Sequence, residues 1–154
     1  MALSPGPQKF RRTKQAATRR EIQRMSPARR AAYEKGVESE EKVATALKLL
    51  IKRRTFLGYY PIGRGSEADV DQGIDFLIFA TPPWCLMLQV KSSVSGKRNH
   101  YIHHGMRIPC VVVHPYVSIE DLAEQIFDVL QKATEFSTKE CVFTFTIADA
   151  VGAL

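Results

Sequence analysis

Asp75, Gln89 and Lys91 are the residues of this chain whose types and spacing could do chemistry. Asp75 ends the turn Gly73-Ile74-Asp75 and opens an apolar run, Phe76-Leu77-Ile78-Phe79. A second apolar run begins at Cys85 and carries an amide, Gln89, and an ammonium, Lys91, two positions apart. Side chains alternate across a strand, so Gln89 and Lys91 share one face. A lysine that closes an apolar run needs an anionic partner, because an unpaired charge there is costly. A carboxylate, an oxygen ligand and a lysine gathered beside a bound metal would suit phosphodiester hydrolysis. That reaction needs a nucleophilic water, charge relief on the nonbridging oxygens and protonation of the leaving oxygen. A hard divalent cation on oxygen ligands can supply the first two, and magnesium accepts a sparse set of protein ligands.

Register decides whether these groups meet. Were Ala80 to face Cys85 across a four-residue turn, Asp75 would face Val90 and point away from Gln89 and Lys91. The site therefore demands an odd connection or a bulge that sets Asp75 opposite Gln89 or Lys91.

Asp75 followed by Gln89-x-Lys91, after an acidic helix, resembles the signature of the PD-(D/E)xK nuclease superfamily. That superfamily includes restriction endonucleases, Holliday-junction resolvases and some homing endonucleases. The resemblance covers roughly residues 36–130 and rests on four or five positions, framed by the Gly-Ile-Asp-Phe opening and the Gln-Val-Lys-Ser-Ser close. It implies an α/β fold with a restriction-endonuclease-like core, a mixed four- to five-stranded sheet flanked by helices. It also implies a metal-dependent endonuclease that hydrolyses DNA with Mg²⁺ or Mn²⁺. On that resemblance Asp75 is the main metal ligand and the Gln89 carbonyl oxygen the second. Lys91 would orient or help deprotonate the water and stabilise the pentavalent phosphorus. The family also places a glutamate on the first helix. Glu40 shares the inward face of Val43, Ala44 and Leu47 and is the expected catalytic and metal-binding residue. Glu41, roughly 100° round the helix, is the second choice.

Gln89 departs from the family pattern, in which an acid is usual, although some homing endonucleases and resolvase-like members resemble this Gln-x-Lys form. It cuts the local carboxylates from three to two, which lowers metal affinity. A catalytically inactive nuclease-fold protein that only binds nucleic acid is therefore the alternative reading. A third, from a different class, is a basic assembly or adaptor protein. Asp75 and Lys91 could also be a buried ion pair that fixes the sheet, although such pairs are poor sources of net stability. Glu40 could equally be a solvated first-turn glutamate favoured by the helix dipole.

Other polar residues carry weaker signals. Asp69 and Asp71 lie in a Gly/Ser loop where solvated turn acids are common. Ser92 and Ser93, continuing the strand beyond Lys91, could reach a substrate phosphate. His100, His103 and His104 have helical spacing that could suggest zinc, yet no cysteine lies near, and a surface facing nucleic acid is the preferred reading. Tyr59, Tyr60, Arg64, Lys97, Arg98 and Arg107 are further candidate backbone contacts.

The net charge of +6 is unevenly spread. Residues 1–35 hold ten basic residues, among them Arg11, Arg12, Arg19 and Arg20, against Glu21 and Glu34, a balance of +8. The remainder, with twelve basic and fourteen acidic residues, balances at −2. Such an arm suits a polyanion, because each phosphate it neutralises releases counterions. A solvated tail and an Arg/Ala-rich targeting segment are the other readings of it. Residues 1–33 are read as a flexible basic arm and 34–154 as the nuclease-like domain. No stretch approaches the ~20 apolar residues of a membrane span. The three cysteines, Cys85, Cys110 and Cys141, are widely spaced in apolar runs and read as reduced thiols of a cytoplasmic (intracellular) protein. A homodimer is a possible assembly, since enzymes that cut two strands often pair.

The positioning elements follow from patterning. Ser26-Pro27 is a helix start, Gly36 an expected interruption, and Ser39 to Lys52 a helix by apolar spacing. Strands are expected over 55–62, 75–80, 85–92, 108–114 and 141–147, with 94–108 polar and irregular, with possible helical turns. Ser118-Ile119-Glu120-Asp121 is a capping box that opens a helix to about Thr134.

Overall fold

The computed structural model describes residues 20–63, 73–81 and 85–140. The chain divides into two compact units, Met1–Lys35 and Gly36–Leu154. In the first, Ser26 caps the helix that Pro27 opens: the Arg29 amide donates to Ser26 Oγ at 3.4 Å and the Arg30 amide to Ser26 O at 2.9 Å. That helix, α1 (Pro27–Lys52), runs on through Gly36 without a break. A single glycine costs about 1 kcal/mol against alanine, whereas stopping and restarting would require a second unfavourable nucleation.

The second unit is an α/β fold, a four-stranded mixed sheet flanked by helices. Its remaining elements are β1 (Gly58–Pro61), β2 (Phe76–Phe79), β3 (Cys85–Lys91), α2 (Val94–His104), β4 (Cys110–Val112) and α3 (Ile119–Glu140). The strand order is β1-β2-β3-β4. The first two pairings are antiparallel and β3–β4 is parallel, with α2 as the crossover. Parity assigns the two faces. Phe76, Ile78, Leu88, Val90, Val111 and Val113 form one core with Val43, Leu47 and Leu50 of α1 and Leu122, Ile126 and Leu130 of α3. Asp75, Gln89, Lys91 and Cys110 fall on the other face.

The segment after β3 is more regular than the expected irregular stretch with possible helical turns. Residues 94–104 form a regular helix, and Ser93 is its N-cap, accepting from the Gly96 amide at 3.1 Å. Ser92 and Ser93 therefore do not prolong the strand. The helix has almost no apolar stripe to read, because His100 is its one buried residue. Ser118 caps α3 as its sequence predicts, with the Asp121 amide donating to Ser118 Oγ at 3.0 Å. This helix continues past Thr134 to Glu140. The strand expected over 141–147 lies outside the described residues.

Candidate active site

The connection between β2 and β3 is odd. Phe79 pairs with Cys85 and Phe76 with Leu88, so one step further Asp75 stands opposite Gln89. The register condition for the site is met. Asp75 extends the pairing on both sides, its amide donating to Leu88 O at 3.0 Å and its carbonyl accepting from the Ile62 amide at 2.8 Å. Its side chain is buried, and Oδ2 accepts from Gln89 Nε2 at 2.6 Å and from the Val90 amide at 2.7 Å. A carboxylate oxygen only accepts, so it turns the Gln89 nitrogen toward itself. Gln89 Oε1 is left buried with no hydrogen-bond partner among the described residues. Gln89 is in turn fixed by its backbone amide, which donates to Pro109 O at 2.9 Å.

Lys91 lies on the same face as Gln89 and is half-buried. Its stem runs past Gly96 on the first turn of α2, where a Cβ would meet Lys91 Cβ and Cδ at 3.5 and 3.6 Å. Its charge reaches two buried neighbours. Burial pushes the Cys110 thiol up to about 11, Lys97 and Lys91 oppose that rise, and Asp75 adds to it. His100 is lowered by burial first, against a hydrogen bond to Ile108 that raises it, and then by the charges of His104 and Lys91.

His100 is the residue that sequence reading misplaced. It is buried and not a surface group. Its Nε2 lies 3.3 Å from Ile108 O, and a carbonyl can only accept, so Nε2 carries the proton and Nδ1 keeps a bare lone pair. That Nδ1 is buried without a partner among the described residues. The ring stacks on His104 at 5.1 Å and packs against Gly73. Gly73 has φ 65°, and a Cβ there would sit 3.1 Å from the His100 ring and 3.2 Å from His104, so both backbone and space require glycine. This contact sets the turn into Asp75. No local pattern announces it, because residues 73 and 100 meet only in three dimensions. His103 is exposed, and the three histidines do not form a shared metal centre. Among the described residues no group of three or more His, Cys, Asp or Glu side chains is arranged to hold a metal ion.

Glu40 lies on α1, a helix whose core residues pack on the face of the sheet opposite Asp75. The start of β2 and the ends of β3 and β4 lie at one end of the sheet, given the antiparallel and parallel pairings. Lys42 Nζ donates to Pro115 O at 2.6 Å, just beyond β4, so the turn of α1 that holds Glu40 is at that same end. Glu40 is half-buried and Glu41 exposed. Of the expected nucleic-acid contacts, Arg20 is exposed and helical, Ser92 is half-buried and Ser93 serves as the α2 cap. Arg11, Arg12, Arg19, Arg64, Asp69 and Asp71 lie outside the described residues.

Comparison with known protein families, curated proteins and solved structures finds no match. Function must therefore be argued from the site. Its residues fit a hard cation in one respect that the fold itself supplies: a buried carboxylate beside a buried amide oxygen that lacks a donor among the described residues.

Proposed function

We propose that this chain is a PD-(D/E)xK-like endonuclease that hydrolyses DNA phosphodiester bonds with Mg²⁺ or Mn²⁺ inside the cell. The observation that carries the reading is the register that joins Asp75 to Gln89 at 2.6 Å and leaves Lys91 on the same face, within a helix–strand–strand–strand–helix–strand–helix order. Asp75 and Gln89 Oε1 would hold the cation, with Glu40 as the candidate from α1. When bound, that cation supplies Lewis-acid charge relief and a water of lowered pKa. Lys91 then orients the water and balances charge on the phosphate. The α2 N-terminus, which follows Lys91 by two residues, adds the positive end of a helix dipole. Residues 1–33 act in this reading as a basic arm for DNA, and 34–154 as the nuclease domain.

A second reading has its own support. Asp75 Oδ2 already accepts two N–H donors, and Gln89 offers it nitrogen and not oxygen. A nuclease-like frame that binds nucleic acid without cutting would keep that arrangement. One assay separates the two: purified protein with plasmid and branched DNA and Mg²⁺ or Mn²⁺, beside Lys91→Ala and Asp75→Ala. Cleavage by the wild type that both substitutions abolish supports the enzyme. Equal cleavage by Lys91→Ala refutes the role given to that lysine, and salt-sensitive binding without cleavage favours the second reading.

A further inference from the structure

Between Asp75 and Glu120 the chain contains no acidic residue, yet it contains Lys91, Lys97, Arg98, Arg107 and all four histidines. In the fold that stretch builds β3, α2 and β4. Among the described residues of the Gly36–Leu154 unit, the acids other than Asp75 are carried by α1 and α3. Those two helices supply the core on the opposite face of the sheet from Asp75. Charge is thus partitioned across the sheet, and the α2 layer is its basic side.

The outer surface of α2 is not only basic. Val94, Arg98 and Ile102 follow one another at four-residue steps and share a stripe. That stripe turns away from His100, the helix's buried side. Val94 and Ile102 are each 67% exposed, and Met106, just beyond the Gly105 cap, is 82% exposed. Large apolar side chains held in water beside arginines mark an interaction surface. The helix starts directly after Lys91, so whatever lies along it is led to the end of the sheet that holds Asp75.

We propose that this face of α2 is the docking surface for a nucleic-acid strand with unpaired bases, which it delivers to the Asp75–Lys91 end of the sheet. The delivery step rests on the nuclease reading; the docking itself does not. A paired B-form duplex turns phosphate and sugar outward and would leave Ile102 and Met106 without partners. An unpaired strand offers phosphates to Arg98 and Arg107 and base faces to the apolar side chains, as single-strand binders combine a basic track with a platform under the bases. A second copy of this chain is disfavoured, because a two-fold interface would set this acid-free patch against itself.

The test uses the full chain in EDTA, so that binding is read whether or not the protein cuts. Fluorescence anisotropy is measured across a salt series with labelled single-stranded, forked and blunt duplex DNA of matched sequence. Ile102→Ala with Met106→Ala should weaken single-stranded and forked DNA binding about tenfold, the scale of losing the burial of one apolar side chain, and leave duplex binding unchanged. Arg98→Ala with Arg107→Ala should flatten the slope of log affinity against log salt by about 0.7 per contact on a single strand. All four side chains are exposed, and circular dichroism checks that each variant stays folded. The proposal is overturned if the wild type binds none of these DNAs or if both double variants bind forked DNA like the wild type. It is also overturned if the apolar pair changes sedimentation as a dimer, or binding to anionic phosphatidylglycerol vesicles, and leaves DNA untouched. A wild type that binds as described but does not cleave with Mn²⁺ sinks the nuclease reading alone.

Discussion

The two faces of the sheet are built on opposite terms. Toward α1 and α3 the strands present only hydrocarbon, and Val43, Leu47, Ile78, Leu88 and Ile126 are fully buried there. Toward α2 they present Asp75 and Gln89, with His100 descending from the helix, all three buried. The first face gains from removing apolar surface from water. The second carries two acceptors, Gln89 Oε1 and His100 Nδ1, with no partner among the described residues, and an unmatched buried polar group costs about 1–3 kcal/mol. The comparison teaches that stability is concentrated on one face, and that the costly groups gather on the face where chemistry is proposed.

The largest effect should come from the apolar face. Leu47→Ala is expected to lose about 2–5 kcal/mol in urea denaturation, the range for a leucine truncated in a packed core. A loss under about 1 kcal/mol would mean that this face does not dominate the fold.

On the polar face, Gln89→Glu would set a second carboxylate where the amide now touches Asp75 at 2.6 Å. Like charges that close cannot both ionise freely, so the metal-free variant should be less stable by about 1–3 kcal/mol. Added Mn²⁺ should restore it by binding the paired acids. Thermal melts with and without Mn²⁺ provide the check, and a metal-insensitive melt would remove Asp75 and residue 89 from the proposed ligand set.

His100 gives the same face a pH signature. Its folded pKa lies below the ordinary 6.5 because burial penalises the cation. As pH falls through about 6.5 the unfolded chain takes up a proton that the folded chain refuses, so stability drops on the acid side and is unaffected above it. His100→Gln keeps a side-chain donor near Ile108 O but cannot titrate, and should reduce the decline in melting temperature from neutral pH to about pH 5.5. An unchanged pH profile would show that His100 is not refusing that proton.

The smallest effect lies at the far end of α1, on neither face. Arg54 holds φ 59°, and the Thr55 amide returns to Leu50 O at 2.9 Å in the manner of a helix C-cap that favours glycine. Arg54→Gly should stabilise by about 0.5–1 kcal/mol by relieving that backbone strain. Destabilisation would mean that the arginine side chain makes contacts that outweigh its backbone strain.

The legible parts of this protein were those written in local patterns. Ser26-Pro27 and Ser118 are capping signals and act as caps. The apolar runs that begin at Phe76 and Cys85 gave the strands, and the period of two along a strand put Gln89 with Lys91. The missed parts were those in which a local rule lost to packing. Gly36 reads as a break, yet both flanks are helical and continuation is cheaper. Residues 94–104 lack an apolar stripe because the side that packs is a histidine, although Ser93 and Gly105 were available as end signals. His100 reads as one of three surface histidines, and its burial against Gly73 has no trace in either local segment.

By itself, then, the sequence determined the order of the described strands and of the helices that flank them, 94–104 excepted, the sharing of one face by Gln89 and Lys91, and the separation of charge between chain segments. Each depends on neighbours a few residues apart, where backbone periodicity and side-chain type suffice. The meeting of Asp75 with Gln89, the direction in which that amide turns, the orphaned lone pair of His100 and the exposed basic and apolar face of α2 were decided only by tertiary structure. The reason is register: moving β2 by one residue against β3 leaves every local preference intact and sends Asp75 to the opposite side of the sheet.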